Sequence, residues 1–331
     1  MKHFLSTNDI AAGEFEHLLE KALAYKAERH VTNELAGRSI ALVFLNPSLR
    51  TRASMQIAVY ELGGNPVFIE PGSTSWSIEY SDNVVMDADR TEHIAEFVRV
   101  LSRYVSAIGV RTFAGLRNWD LERTDPVLNA IAKYSDVPII NLESAMHHPC
   151  QALADMLTIR ERFGEARKKV LLTWAWHPKA LPMAVPNSFA LAAAQMGHDL
   201  TIAHPEGYDL DSELVAQVSN SAASSGGSVR TVTDPVAGYE DADVVYAKSW
   251  APPSFYGQES AEHDSQLRNT WIVNSEKMAR TAKGIFMHCL PVRRNVIVTD
   301  DVLDSAKSVV IDEAENRLHV QKAILAALVK Y

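Results

Sequence analysis

The sequence predicts an α/β protein of two doubly wound parallel-sheet domains, with a C-terminal helix packing back on the N-terminal domain. Two observations carry this prediction. Apolar runs of strand length recur along the chain, at residues 39–45, 66–69, 107–110, 137–140, 170–174, 200–203, 244–246, 284–287 and 309–311. Most are separated by segments of helical length, and such alternation implies crossover connections and therefore parallel strands.

The first run, SIALVFL, is followed by a short polar segment and then by ASMQIAVYELGG, a helix closed by the stop signal Gly63-Gly64. Residues 91–104 place Ile94, Phe97, Val98 and Leu101 on one helical face, and residues 318–329 form an apolar C-terminal helix. The Ser/Gly-rich stretch 219–228 reads as a loop. A boundary near residues 143–148 has four or five strand–helix units on either side. The expected organisation is a first domain over 1–147, a second over 148–312, and a returning helix over 313–331.

With 331 residues, 47% hydrophobic and 22% charged, the chain has the composition of an ordinary soluble globular protein. A net charge of -9 argues against a general nucleic-acid surface, so an anionic ligand must be met by a local cluster of cations. Two distant cysteines, Cys150 and Cys289, make no disulfide framework and suit a reducing compartment. The N-terminal MKHFLSTNDI lacks a long apolar core and a cleavage site, and no run is long enough to span a bilayer. The expectation is a cytoplasmic protein with no membrane and no nucleic-acid partner.

Ligands of open α/β sheets gather at the carboxyl ends of the strands, so polar clusters just after strands are the places to search. After SIALVFL comes Asn46-Pro47-Ser48-Leu49-Arg50-Thr51-Arg52, which sets two arginines and two hydroxyls at a helix start. Helix N-termini bind anions through unpaired N–H groups, and arginine adds bidentate bonds to phosphate oxygens. The segment has neither the glycines and Lys-Ser/Thr of a Walker loop nor a dinucleotide fingerprint. On its own it is only slightly more persuasive as an anion site than as a solvated helix start.

Arg111 ends one strand, and His147-His148-Pro149-Cys150-Gln151 opens a helix after the run PIIN and the acidic Glu143. Reaction at a carbonyl carbon needs donors aimed at the oxygen that gains charge, and Arg, His, Thr and Gln can supply them. Singly, Arg111 is better read as a surface ion-pair partner and His148 as a capping or core histidine. His147, His148, Cys150, His288 and Cys289 do not make the close ligand pairs of a tetrahedral zinc site, so no metal and no cofactor are expected. A Cys289–His148 nucleophile pair is a further possibility, but it leaves the arginines without a role.

Taken together, Ser48-Leu49-Arg50-Thr51-Arg52, His148-Pro149-Cys150-Gln151 and His288-Cys289-Leu290-Pro291 resemble the signature set of the aspartate/ornithine carbamoyltransferase family, in the same order and at similar spacing. Glu315-Asn316-Arg317-Leu318-His319 extends the resemblance to the last helix. The His-Cys-Leu-Pro form is similar to the ornithine side of the family. An Asp-x-x-Ser-Met-Gly segment is missing, and Tyr246-Ala247-Lys248-Ser249-Trp250 stands in roughly that region. This pattern resembles the branch that acts on N-acylated ornithine.

The resemblance implies that Ser48, Leu49, Arg50 and Thr51 hold the phosphate of carbamoyl phosphate, with Trp76 reaching in from a neighbouring subunit of a homotrimer. It implies that Arg111, His148, Gln151, Cys289, Leu290 and Arg317 surround the carbamoyl group. Thr51, Arg111 and His148 would stabilise the tetrahedral oxyanion. Glu143, His177, Lys248 and Arg293 would bind the acylornithine, with Thr91 lining the acyl pocket. The acetyl enzymes typically carry a glutamate where this chain has Thr91 and a modified lysine where it has Ile297; the succinyl enzymes carry an uncharged residue, usually proline, at the first position. A glutamate would repel a second substrate carboxylate and a threonine would not. The expectation therefore tilts to N-succinyl-L-ornithine, with N-acetyl-L-ornithine as the alternative and ornithine itself further behind. The rival classes are a non-catalytic binding protein of the same fold and a Rossmann oxidoreductase; the phosphate-loop and His-Pro-x-Gln side chains are all present, and no glycine fingerprint is.

Overall fold

The computed structural model describes residues 1–11, 13–257 and 265–329. The chain divides into two compact units. The first comprises Met1–Ala114, Asp120–Cys150 and the chain from Asn316 onward; the second comprises Gly115–Trp119 and Gln151–Glu315. The breaks thus fall after Cys150 and after Glu315, while the sequence suggested 147 and 312.

The strands are β1 (Ser39–Phe44), β2 (Asn65–Ile69), β3 (Ile78–Glu79), β4 (Glu92–His93), β5 (Ala107–Arg111), β6 (Ile139–Glu143), β7 (Lys169–Trp174), β8 (Asp199–Ala203), β9 (Ser228–Val232), β10 (Val244–Lys248) and β11 (Ile285–Met287). The helices are α1 (Glu14–Ala27), α2 (Arg50–Glu61), α3 (Ile94–Tyr104), α4 (Trp119–Glu122), α5 (Pro126–Tyr134), α6 (Pro149–Phe163), α7 (Ala184–Gln195), α8 (Ser212–Ser224), α9 (Ser265–Trp271), α10 (Ser275–Met278), α11 (Asp300–Leu303) and α12 (Val310–Leu328). No helix of the described residues is long and apolar enough to cross a membrane.

In the first unit the sheet order is β2-β1-β5-β6, every pairing parallel. Strand β1 is buried from Ile40 to Phe44, as a strand covered on both faces requires. Gly109 of β5 lies between leucines, where an added Cβ would stand 3.0 Å from Leu142 and 3.1 Å from Leu42. The register aligns Phe44 with Arg111 and Arg111 with Glu143, so the last residues of β1, β5 and β6 form one row. Helix α2 ends where the glycine pair predicts: Gly63 takes φ +81°, and a Cβ there would meet the Thr32 carbonyl at 2.7 Å.

The second unit carries the order β11-β10-β7-β8-β9, again all parallel. Its inner strand β10 is fully buried from Val244 to Ala247. Helix α7 packs a nearly all-buried alanine-rich surface.

Three expectations about elements need correction. Residues 309–311 form no strand: Val310 begins α12, and Ile311 is 72% exposed. The stretch 219–228 is not a loop, because α8 runs through Ser224 and β9 starts at Ser228. Strand β9 itself escaped detection, since it is a polar edge strand with no buried residue. Helix α3 starts at Ile94 rather than 91, after β4.

Candidate active site

All the sequence-predicted site residues lie among the described residues; Trp76 and Thr91 lie just before the short strands β3 and β4, and the others lie at or beyond the carboxyl ends of parallel strands or on α2, α6 and α12. Ser48, Leu49, Arg50, Thr51, Trp76, Thr91, Arg111, Glu143, His148 and Arg317 belong to the first unit; Gln151, His177, Lys248, Cys289, Leu290 and Arg293 belong to the second.

In the first unit, the turn after β1 is fastened by Asn46, whose Oδ1 accepts the Phe113 N–H at 2.8 Å, tying it to the turn after β5. Leu49 is the N-cap of α2 and no side chain caps that terminus, so the first turn presents its backbone donors. Thr51, 2% exposed, accepts a hydrogen bond at 3.0 Å from the Arg317 guanidinium of α12. Of the two loop arginines, Arg52 is engaged elsewhere: it pairs with Glu70 at 2.6 Å and lies over the Phe68 ring.

The register row sets Arg111 against Glu143, and the two form a short ion pair. The same Glu143 oxygen lies 3.5 Å from His148 Nε2. Glu143 thereby orients the two residues read as carbonyl donors, a task the sequence did not assign to it. The parallel pairing of β3 with β4 brings the Trp76 segment beside the Thr91 segment, with Thr91 N–H donating to the Ser77 carbonyl and Trp76 Nε1 donating to Glu92 at 2.6 Å. Trp76 stays 57% exposed.

The turn between β6 and the histidine pair is held by a residue no motif announced. Asp125 is the N-cap of α5, in the left-handed region at φ 47°, yet it makes no cap to its own helix. Its carboxylate reaches instead to Ser144 Oγ at 2.7 Å and to the N–H groups of Ala145 and Met146 at 2.8 and 3.3 Å. Ser144 Oγ in turn accepts from Asn141 Nδ2 at 3.0 Å and from His147 N–H at 3.2 Å. Burial outweighs these bonds and pushes the Asp125 carboxyl up to about 6, while burial pushes His147 down to about 4. Cys150 is fully buried, its Sγ toward the Asn141 carbonyl and its thiol pushed up to about 12, which removes it as a nucleophile near neutral pH.

A stability prediction follows with a definite sign. An unfolded aspartate titrates near 3.8 and the folded one near 6, so this group's contribution is fully present below about pH 4 and is lost as pH rises through about 6. The difference corresponds to about 3 kcal/mol. Asp125→Asn should remove this dependence. In urea titrations at pH 4 and pH 8, the variant should gain on the wild type by about that amount; parallel changes in both proteins would refute the assignment.

In the second unit, His177 follows β7, Lys248 ends β10, and Cys289-Leu290 follow β11. Arg293 donates from Nε to His177 Nε2 at 3.0 Å, which brings these two predicted acylornithine residues together. Lys248 donates to the Ser249 carbonyl at 3.2 Å. Leu290 adopts φ +55°, turning the His288-Cys289-Leu290 segment sharply after the strand. His288 N–H donates to Glu313 Oε2 at 2.9 Å, and Gln151 Nε2 donates to both Glu313 and Asp155. The sequence reading missed both acids, although Asp155 stands four residues after Gln151 on one helix face.

Two family models match. The carbamoyl-phosphate-binding domain of aspartate/ornithine carbamoyltransferase covers residues 2–161, and the Asp/Orn-binding domain covers residues 181–328. The chain belongs to the aspartate/ornithine carbamoyltransferase family. It is 48% identical to an N-acetylornithine carbamoyltransferase of Xanthomonas campestris pv. campestris, over 99% of this chain and 98% of the relative. It is 40% identical to an N-succinylornithine carbamoyltransferase of Bacteroides fragilis, over 96% of this chain and 95% of the relative. A solved N-acetyl-L-ornithine transcarbamylase, in which one glutamate is replaced by alanine and which is complexed with carbamyl phosphate and N-succinyl-L-norvaline, superimposes with a TM-score of 0.96. It is 48% identical and the match covers 99% of this chain and all of that one. The chain is thus a carbamoyltransferase of the N-acylornithine branch.

Proposed function

We propose that this carbamoyltransferase moves the carbamoyl group of carbamoyl phosphate to the side-chain amine of N-acetyl-L-ornithine, a step of arginine biosynthesis. The higher identity to the acetylornithine relative, 48% against 40%, supports that acyl group. The observation that carries the chemistry is the pair Arg111–Glu143 at the strand ends with His148 beside Glu143, and with Thr51 and Arg317 paired in the same unit.

In this reading Ser48, Leu49, Arg50 and Thr51 bind phosphate at the uncapped start of α2. Arg111, His148 and Thr51 donate to the carbonyl oxygen, and Gln151, Cys289, Leu290 and Arg317 enclose the rest of the carbamoyl group. Attack by the amine forms the C–N bond and a tetrahedral oxyanion; its collapse breaks the C–O bond to phosphate, which leaves with the amine proton as the final acceptor. A free alkyl ammonium titrates near ~10.4, and the neighbouring arginines together with desolvation lower that value so that the neutral amine can attack. Lys248, Arg293, His177 and Glu143 bind the acylated amino-acid end. The domains proposed are 1–147 for carbamoyl phosphate and 148–312 for acylornithine, with 313–331 returning to the first. The assembly proposed is a homotrimer in which Trp76 serves a neighbouring site; its large exposed ring supports this.

A second reading, N-succinyl-L-ornithine, has its own support. Thr91 stands where the resemblance places a glutamate in the acetyl enzymes, and it is exposed and uncharged. A solved relative with one glutamate replaced by alanine holds N-succinyl-L-norvaline. Ile297, where the acetyl enzymes carry a modified lysine, is buried and apolar here.

The test is citrulline-product formation from carbamoyl phosphate with ornithine, N-acetyl-L-ornithine or N-succinyl-L-ornithine offered separately. Turnover of the acetyl compound is expected; turnover of the succinyl compound alone would replace the first reading by the second, and turnover of none would favour a binding protein. Thr91→Glu sharpens the distinction. It should lower kcat/KM for any succinyl substrate about tenfold to a hundredfold through carboxylate repulsion, with a smaller change for the acetyl one.

A further inference from the structure

Gln151, Asp155, Glu313 and His288 are buried together in the second unit, at 1%, 0%, 0% and 1% exposure. Gln151 Nε2 lies 2.8 Å from Asp155 Oδ1 and 3.0 Å from Glu313 Oε1. An ionised carboxylate accepts and does not donate, and both acids face the same end of the amide, so one ionised carboxylate of the two is enough to turn the NH2 end toward them. The orientation of Gln151 is therefore set by chemistry and not by the near-equivalence of amide oxygen and nitrogen. With both N–H bonds directed to acids, the other end of the side chain is a carbonyl oxygen, an acceptor only.

The second oxygen of Glu313 accepts the His288 N–H at 2.9 Å, which fastens the start of the His-Cys-Leu-Pro turn to the same carboxylate. One side chain of α12 thus holds a side chain of α6 and the backbone after β11. Tyr246 stands beside the group, its hydroxyl pushed well above the usual range by burial and by Asp155, Cys289 and Glu313, so it remains a neutral phenol.

We infer that Asp155 and Glu313 are positioning residues that lock the Gln151 amide with its carbonyl oxygen as the receptor for the amino group of carbamoyl phosphate. This rests on the reading that Gln151 handles the carbamoyl group. The lock makes the site selective for a group that carries N–H bonds where an acetyl group carries a methyl. Without it the amide can turn its NH2 end to the ligand, and donor would then meet donor.

The experiment uses Glu313→Gln and Asp155→Asn, each of which substitutes an amide that can donate to a reversed Gln151, with Gln151→Ala as the reference. The readouts are the KM for carbamoyl phosphate, the competitive inhibition constant of inorganic phosphate, and the KM for the acylornithine. Phosphate lacks the amino group, so the lock does not touch its binding. The expected result for Glu313→Gln is a rise of about tenfold in the carbamoyl phosphate KM, the worth of one well-made hydrogen bond, with the phosphate constant within about twofold. Equal weakening of both anions would mean general loosening and would overturn the inference. So would unchanged constants in Glu313→Gln and Asp155→Asn when Gln151→Ala is impaired. If Gln151→Ala binds carbamoyl phosphate normally, the reading of Gln151 falls first and the lock with it. Should Glu313→Gln fail to fold, Asp155→Asn supplies the same comparison.

Discussion

Glu61→Ala is expected to destabilise the first unit by about 3–5 kcal/mol, because it strands a buried cation. Lys322 of α12 is completely buried, with its ammonium 3.1 Å from Glu61 and over the ring of Tyr25 at 4.6 Å. Glu61 also receives Arg29 at 2.8 Å. Burial opposes the Glu61 charge, yet Arg29 and Lys322 hold its carboxyl below the ordinary value. Removing the acid leaves Lys322 without its carboxylate in a medium that solvates charge poorly. Chemical unfolding measures the loss. A double variant, Glu61→Ala with Lys322→Met, should recover most of it, since two apolar groups replace a buried pair at little cost. A double variant no more stable than the single one would show that the pair itself was not the source.

In the mechanism proposed above Arg111 is an oxyanion donor, so the largest effect on turnover is expected from Arg111→Met, about 10²–10³ in kcat, the usual consequence of removing one such donor. Arg111 is fixed by Glu143 in the register row at the ends of β5 and β6, so its guanidinium is preorganised before substrate arrives. The measurement is steady-state turnover at saturating substrates, with thermal unfolding as the control for the buried Glu143 carboxylate that loses its Arg111 partner. A drop confined to KM would reassign Arg111 to ground-state binding.

Much of this was legible in the sequence because parallel strands buried on both faces leave unmistakable apolar runs. SIALVFL and the run around Val244 became β1 and β10. The pattern failed where burial failed: β9 is a polar edge strand, and Val309-Val310-Ile311 starts a helix on whose surface Ile311 lies. The motif residues were visible because their side chains are chemically conspicuous after strands. Their supports were not. Asp125 reaches the 144–146 turn from another helix, and Glu313 meets Gln151 across 162 positions of sequence. Contacts of that range leave no spacing to detect.

The final helix also bears on how the protein is made. Asn316 and the residues after it belong with the first unit, and they supply Arg317 to Thr51 and Lys322 to Glu61. A ribosome therefore releases the first half of the chain long before its last pieces exist. Until α12 has been synthesised, Thr51 and Glu61 must wait in a nascent chain for the partners that Arg317 and Lys322 supply. A premature stop codon ahead of α12 would damage the beginning of the protein.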